Sequence, residues 1–306
     1  MYTGTRFKGI DYEANRSKIV DDELIFRLSS CTFESNEFIP LDEFFQFRRV
    51  RTRLSYLAEA GLDIDVMTTE QLIVTAQVSR QRAKVIVTRS EYDTEFTDEW
   101  LSRIKQRLNP NCVIWTTNCT ARSPKAKCLP LGLFDYYNWG EVQDIAGDMR
   151  LLIKFRKRRN VRSSTIAVCF HDPHSQDERS KARECLRRIK STTELQVERS
   201  VIGLERYFSL LTTSEFCACP RGNGIDTHRL YEALYLGAIP IILRRHFLDC
   251  YRDLPILVIE NWSDLETLDL DHESCKIRDQ FYDLSRLTVS YWVREIDLSY
   301  RQENVD

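Results

Sequence analysis

The chain reads as an α/β protein built on parallel sheets flanked by helices, and three observations carry that reading. Short apolar runs alternate with longer helical stretches through both halves of the sequence. A chain of 306 residues exceeds what one core normally fills, so two domains are expected, 1–150 and 151–306. Residues 216–242, FCACPRGNGIDTHRLYEALYLGAIPII, then set out in order a strand, a glycine-containing turn, a helix and a second strand.

Taken along the chain, the strand candidates of the first half are residues 23–28, 84–88 and 112–116, with helical stretches around 41–60 and 97–108. The passage between domains is expected to begin at 131–138. The second half restarts with a strand over 164–170, a helix over about 177–190 and another near 203–211. Residues 216–219 form a buried strand that Pro220 ends. The chain holds only ten glycines, and Gly222, Gly224 and Gly237 fall within this one segment, which points to local backbone demands. Gly222 and Gly224 are expected to let the chain turn sharply. A helix follows from about Thr227, with Asp226 or Thr227 as its cap, Leu230, Ala233 and Leu234 as its apolar stripe and Gly237 as its stop. Strands over 239–243 and 255–259 and a helical region over 275–300 complete the series.

Composition excludes several classes. Hydrophobic residues at 42% and charged residues at 29% are ordinary for a globular protein with a substantial core. A net charge of −2 gives no global attraction to nucleic acid or anionic membrane. The first residues carry no apolar core of signal-peptide type and no window approaches a membrane span, so a cytoplasmic location is expected. The ten cysteines then read as reduced thiols. Cys217 and Cys219 are expected on opposite sides of their strand, a poor arrangement for zinc. The sequons at Asn15, Asn118 and Asn261 read as incidental. The basic run KFRKRR over 154–159 reads as a solvated helix face more readily than as a nucleic-acid stripe, because only Phe155 is interleaved.

The chemistry concentrates at the glycine turn. A helix N-terminus offers unpaired N–H donors and partial positive charge, which suits a diphosphate above it. Arg221 and Arg229 add full charges. Glu232, three residues after Arg229, lies on the same helix face and is placed to accept hydrogen bonds from ribose hydroxyls. The alternative is an ordinary exposed ion pair between Arg229 and Glu232. The turn lacks both the GxxxxGK[ST] and the GxGxxG spacing, so generic nucleotide motifs add nothing. His171, which follows the 164–170 strand, Arg179 after it, and His228 at the helix start are further candidate contacts to the donor; for both histidines an ordinary structural role is the alternative.

The run CPRGNGIDTHRLYEALYLGAIPII resembles the nucleotide-sugar-binding signature of exostosin-type glycosyltransferases and their smaller microbial and viral relatives. Downstream, CYRDLPILVIENWSDL is similar to the segment that follows the signature. Upstream, VIVTRSEYDTEF, CVIWTTNC and CLPLGL are similar in order and spacing to the family's N-terminal half. The resemblance covers 214–264 most closely, extends over 84–134, and is not readable before about residue 80. It implies a GT-B architecture, two Rossmann-like domains facing a central cleft, with a nucleotide-sugar donor held mainly by the C-terminal one. It also implies inverting transfer of a sugar from a UDP- or GDP-sugar to a carbohydrate acceptor, in surface glycan synthesis, with no obligatory metal. On this chain Arg229 would hold the donor phosphates and Glu232 the ribose, and the turn of Arg221, Gly222, Asn223, Gly224, Asp226 and Thr227 would line the site. Exostosin proteins proper are larger and membrane-anchored, so the resemblance carries the mechanism further than any one substrate.

Such transfer needs a base at the acceptor hydroxyl. Asp93 is the first candidate, because VIVTRSEYD places it just past the C-terminal edge of a parallel strand. Glu91 is the second; both could instead be solvated carboxylates capping the helix near Thr97. Asn118, at the end of another first-half strand, is expected to orient the acceptor. The pairs Asp63/Asp65 and Asp269/Asp271 resemble a metal-holding DxD motif, yet neither has a nucleotide-binding pattern beside it, so no metal site is assigned. A non-catalytic nucleotide-sugar- or glycan-binding module of the same fold is the competing reading.

Overall fold

A computed structural model describes residues 20–33, 39–40, 43–59, 63–78, 81–89, 95–134, 149–157, 161–170, 176–195 and 201–302. In chain order the helices are α1 (Asp22–Leu28), α2 (Phe47–Glu59), α3 (Thr69–Val78), α4 (Asp98–Ile104), α5 (Met149–Arg156), α6 (Gln176–Arg187), α7 (Val201–Thr213), α8 (His228–Leu236), α9 (Leu270–Arg278) and α10 (Val289–Gln302). The strands are β1 (Cys31–Thr32), β2 (Ile64–Thr68), β3 (Val85–Arg89), β4 (Val113–Thr116), β5 (Ala126–Cys128), β6 (Ser163–Val168), β7 (Thr192–Glu194), β8 (Ser214–Ala218), β9 (Ile239–Leu243), β10 (Leu257–Ile259) and β11 (Phe281–Tyr282).

Two parallel sheets organise them. The first runs β2-β3-β4-β5 and the second β10-β9-β8-β6-β7. Every residue of β4, β8 and β9 is buried, the near-continuous apolar run of strands covered on both faces. The second sheet reverses direction once: the chain steps from β6 outward to β7, then returns to lay β8 on the other side of β6. The C-terminal ends of β6 and β8 therefore border a topological switch point, where open α/β sheets leave a crevice for ligands.

The C-terminal helix returns to the first sheet. Trp292 of α10 packs edge-on against Phe45 at 6.3 Å and against Trp115 of β4 at 6.2 Å, and Lys127 of β5 donates to Ser299 Oγ at 2.9 Å. Tyr235 of α8 accepts from the Phe45 amide at 2.9 Å and donates to the Leu287 carbonyl. β1 pairs antiparallel with β11. These contacts fasten the first and last parts of the chain together.

Most of the expected elements form within a few residues of their expected limits, the helical region expected over 275–300 is divided into α9 and α10 by β11, and four further expectations are corrected. Residues 23–28 are helix, not strand. Asp21 accepts from the Leu24 amide at 2.8 Å, Asp22 and Glu23 lie in the first turn, and Arg27 in the last, all favourable to the helix dipole. Leu24, Ile25 and Leu28 are buried while Phe26 is 82% exposed, a helical stripe and not an alternation. Cys217 and Cys219 share a face, with sulfurs 3.9 Å apart, because strand positions two apart point the same way; all ten cysteines are free thiols.

The third correction concerns the glycines. Gly132 and Gly237 have positive φ, +74° and +83°, whereas Gly222 and Gly224 do not. Gly237 ends α8 as expected, its N–H reaching the Ala233 and Leu234 carbonyls. What Gly222 and Gly224 supply is space. A Cβ on Gly224 would lie 2.6 Å from both Nδ2 and Oδ1 of Asn118, and one on Gly222 would lie 2.9 Å from Nη2 of Arg179. The fourth concerns the start of α8: Thr227 is its N-cap residue but makes no side-chain capping bond, and the Asp226 carboxylate turns elsewhere.

Candidate functional site

Residues just beyond the C-terminal ends of β6 and β8 line the switch point. After β6 come Cys169 and Phe170; after β8 come Cys219, Pro220 and the glycine turn that leads into α8. Arg229, in the first turn of α8, reaches back across this junction, its Nε donating to the Cys169 carbonyl at 3.0 Å. Its guanidinium stands 5.8 Å from the Phe170 ring. Nη1 of Arg229 is buried and has no hydrogen-bond partner among the described residues. An unpartnered buried guanidinium N–H is costly unless a ligand completes it.

The thiols beside Arg229 do not answer its charge; the carboxyl its charge reaches is that of Glu232. Cys169 and Cys217 lie against it, and both thiols are held well above their ordinary range, Cys169 chiefly by its hydrogen bond with Cys217 and Cys217 chiefly by burial, so both are neutral. Glu232 is partly buried and accepts from the Tyr207 hydroxyl through Oε2 at 2.6 Å. Burial pushes its carboxyl upward, against the Tyr207 bond and the Arg229 charge that favour ionisation. Arg229 and Glu232 make no direct ion pair among the described residues. The ordinary exposed pair that sequence alone allows is therefore not what forms: an arginine whose Nη1 is unpartnered among the described residues and a carboxylate with one committed oxygen stand on neighbouring positions of one helix face.

Asp226 sits at the joint between the two sheets. It is 2% exposed and its carboxylate accepts from the Leu131 amide at 2.6 Å, the Tyr251 hydroxyl at 2.7 Å and the Tyr231 hydroxyl at 2.8 Å. Burial raises it to about 6, against the pull of these bonds. A carboxylate so fully engaged is a structural hub and is not turned toward a ligand. Asn118, at φ +53° and 5% exposed, accepts from the Asp226 amide through Oδ1 at 2.9 Å. It holds the glycine turn from the first-half side instead of facing an acceptor, and its burial closes its sequon in the folded chain. His228 adds a third tie: Nδ1 lies 2.7 Å from the Gly132 carbonyl and so carries the proton. Burial, aided by Arg89, lowers its imidazole to about 3, so the ring is neutral.

Above the turn, Arg221 pairs with Glu95 of the first half at 3.0 Å and donates to the Asn223 carbonyl at 3.4 Å. Arg179 of α6 donates from Nε to the Arg221 carbonyl at 2.9 Å, and Gly222 leaves room for its guanidinium. Thus Arg221, Gly222, Asn223, Gly224, Thr227, His228, Arg229, Glu232 and Arg179 share one neighbourhood. Glu91, Asp93 and His171 lie outside the described residues. Glu95 joins this neighbourhood through Arg221, and sequence reasoning passes over it in favour of Asp93 and Glu91 from the same loop; nothing in the local pattern marks Glu95 apart from them, since its partner is 126 positions away.

The remaining sequence candidates have local roles. Asp269 caps α9, accepting from the His272 amide at 3.0 Å, and Asp63 and Asp65 lie at the N-terminal start of β2, the edge opposite the loops that face the glycine turn. In the basic run, Lys154 pairs with Glu205 at 3.1 Å, Phe155 is buried against Phe208, and Arg156 stacks over Phe44. Over 154–157 that is the solvated-face reading with one side turned to the core; Arg158 and Arg159 lie outside the described residues.

Residues 146–263 match the family described as Exostosin GT47 domain. This stretch is similar to an exostosin-type domain. It takes in α5 through the Trp262 turn, and so the whole second sheet, the switch point and α8; residues 84–134 lie outside it. The exostosin match suggests glycosyltransferase activity, with a nucleotide sugar as co-substrate and a separate acceptor. No helix among the described residues is long and apolar enough to cross a membrane.

Proposed function

We propose that the chain is an inverting GT-B glycosyltransferase that moves a sugar from a UDP- or GDP-sugar to a hydroxyl of a carbohydrate acceptor, in the making of a surface glycan. The observation that carries this reading is the buried, unpartnered Nη1 of Arg229, standing at the switch point beside the uncapped start of α8. The site is built for an anion that the protein does not itself supply. Arg229 and the first amides of α8 take the diphosphate. Glu232, with Tyr207 fixing one carboxylate oxygen, presents the other to the ribose.

The two parallel sheets support a division near residue 150 into an acceptor-side domain, 1–150, and a donor domain, 151–306, facing across a cleft that the Asn118, Leu131 and Gly132 contacts bridge. Charge developing on the departing diphosphate is met by arginine side chains and a helix terminus, so this reading requires no metal. Asp93, with Glu91 as second choice, is the base that takes the acceptor proton while the bond from the anomeric carbon to the diphosphate breaks and the electron pair leaves with the phosphate.

A panel of UDP- and GDP-sugars screened by thermal shift and by release of nucleoside diphosphate tests this. At least one donor raises the melting temperature, Arg229→Gln lowers that shift at equal donor concentration, and Asp93→Asn binds the donor yet releases diphosphate at least about a hundredfold more slowly. A panel in which no nucleotide sugar binds or turns over sinks the reading. Binding without turnover on any acceptor gives the chain to the non-catalytic module instead.

A further inference from the structure

The ion pair between Glu95 and Arg221 links the two halves of the molecule directly above the glycine turn. Both side chains are about one-third exposed, 32% and 30%. Arg221 begins the turn that leads to the candidate diphosphate site, so its charge belongs to that site by position. Glu95 belongs to the other half and is held there firmly. Its neighbour Phe96 is fully buried, pairs in parallel with Cys119, donates its N–H to the Asn118 carbonyl at 3.0 Å and accepts from the Thr120 amide at 2.9 Å. Thr97 then caps α4 through its hydroxyl. The carboxylate is presented from rigid backbone.

We propose that Glu95 is the resident counter-ion of the donor site: it occupies Arg221 in the free protein, and a nucleoside diphosphate must displace it to use that arginine. This rests on the donor-site reading above. The pair is exposed enough to water to be weak, so a ligand carrying two or more phosphate charges displaces it, while a neutral nucleoside has no means to. Glu95 thereby selects for highly charged ligands, and donor binding undoes one of the links between the halves. The Asn118, Leu131 and Gly132 links are hydrogen bonds made by buried or partly buried groups and have no stake in the exchange.

Calorimetric titration with UDP, GDP and uridine on the full chain tests this in the parent protein, Glu95→Gln, Arg221→Gln and the double variant, with Arg229→Gln as reference. Glu95→Gln is expected to bind UDP or GDP about threefold to tenfold more tightly, the gain of removing a competing surface anion, with uridine unchanged. In the Arg221→Gln background the Glu95 substitution should have no effect, because its partner is gone. Unchanged or weaker diphosphate binding in Glu95→Gln, or an equal gain with and without Arg221, overturns the proposal. If Arg229→Gln abolishes binding while Glu95→Gln leaves it untouched, the donor site stands and only the counter-ion role falls. If the parent binds neither UDP nor GDP, the donor-site reading falls and takes this proposal with it. Should Glu95→Gln fail to fold, Glu95→Asp, which retracts the carboxylate by one methylene, is expected to give a smaller gain in the same direction, and no gain overturns the proposal equally.

Discussion

Replacing Gly224 by alanine places a methyl carbon 2.6 Å from two atoms of the Asn118 amide and 2.8 Å from its Cγ. Ordinary contact begins near 3.4 Å, so Asn118 would have to retreat by close to an ångström. It has little freedom to do so, because it is buried, it sits in the left-handed region at φ +53°, its Oδ1 holds the Asp226 amide and its carbonyl holds Phe96. Dislodging it strands a buried amide, at about 1–3 kcal/mol. Keeping it and compressing the methyl costs a similar amount by overpacking, about 1–3 kcal/mol. The expected destabilisation is about 2–3 kcal/mol by either route. Urea unfolding of the parent, Gly224→Ala, Asn118→Ala and the double variant measures it as a double-mutant cycle. In the Asn118→Ala background the new methyl enters vacated space and should cost less than about 0.5 kcal/mol. A coupling energy near zero, or a neutral Gly224→Ala, would refute the claim that this glycine exists to admit Asn118. Gly222→Ala is the contrast, since its clash is with the end of a long arginine side chain that can swing away.

Arg229→Gln should weaken UDP or GDP binding by about tenfold to a hundredfold, the value of one or two charge-assisted hydrogen bonds, and an unchanged Kd by calorimetry would remove the diphosphate from α8. Glu232→Gln, which keeps the shape but offers a weaker acceptor, should weaken nucleoside binding even without phosphate; uridine or guanosine titration reads this, and an effect seen only with diphosphates would contradict the ribose role. Two buried groups give opposite pH trends. Asp226 is raised to about 6 in the folded protein from about 4 when unfolded, so its contribution to stability falls as pH rises from about 4 to 6, by up to about 3 kcal/mol. His228 is lowered to about 3 from about 6.5 when unfolded, so its contribution rises with pH through that same interval. Urea midpoints against pH for the parent, Asp226→Asn and His228→Gln separate them: the Asp226 variant should lose the downward trend and the His228 variant the upward one.

The second half of the chain is readable because its signals are local. Gly237 stops α8 through its own left-handed φ, and 239–243 is apolar at every position but Pro240, as a doubly covered strand must be. The segment 23–28 misleads for an equally local reason: a short apolar run of mixed spacing fits either periodicity, and the deciding fact is the Asp21 cap just before it. Asp226 illustrates a different limit. A carboxylate beside a glycine turn has the same appearance in sequence whether it faces a ligand or the protein. Its three donors come from Leu131, Tyr231 and Tyr251, of which only Tyr231 is near in the chain. Glu95 is hidden likewise, its role fixed by an arginine from the other half.

The links across the glycine turn differ in kind, and that difference bears on how the site could work. Asn118 to Asp226, Leu131 to Asp226 and His228 to Gly132 are short hydrogen bonds of 2.9, 2.6 and 2.7 Å. They involve backbone groups and side chains shielded from water, where an unmade bond is expensive. None of them engages a group that a diphosphate would use. Glu95 to Arg221 is an ion pair with water at its side, where breaking it costs little, and it engages an arginine that the proposed donor site assigns to phosphate. A site whose structural links and exchangeable link are made of different chemistry can receive an anion without loosening the turn that binds it. The cysteines beneath Arg229 fit the same proposal: as neutral thiols they pack without answering its charge, and Nη1, unpartnered among the described residues, stays available to the proposed diphosphate.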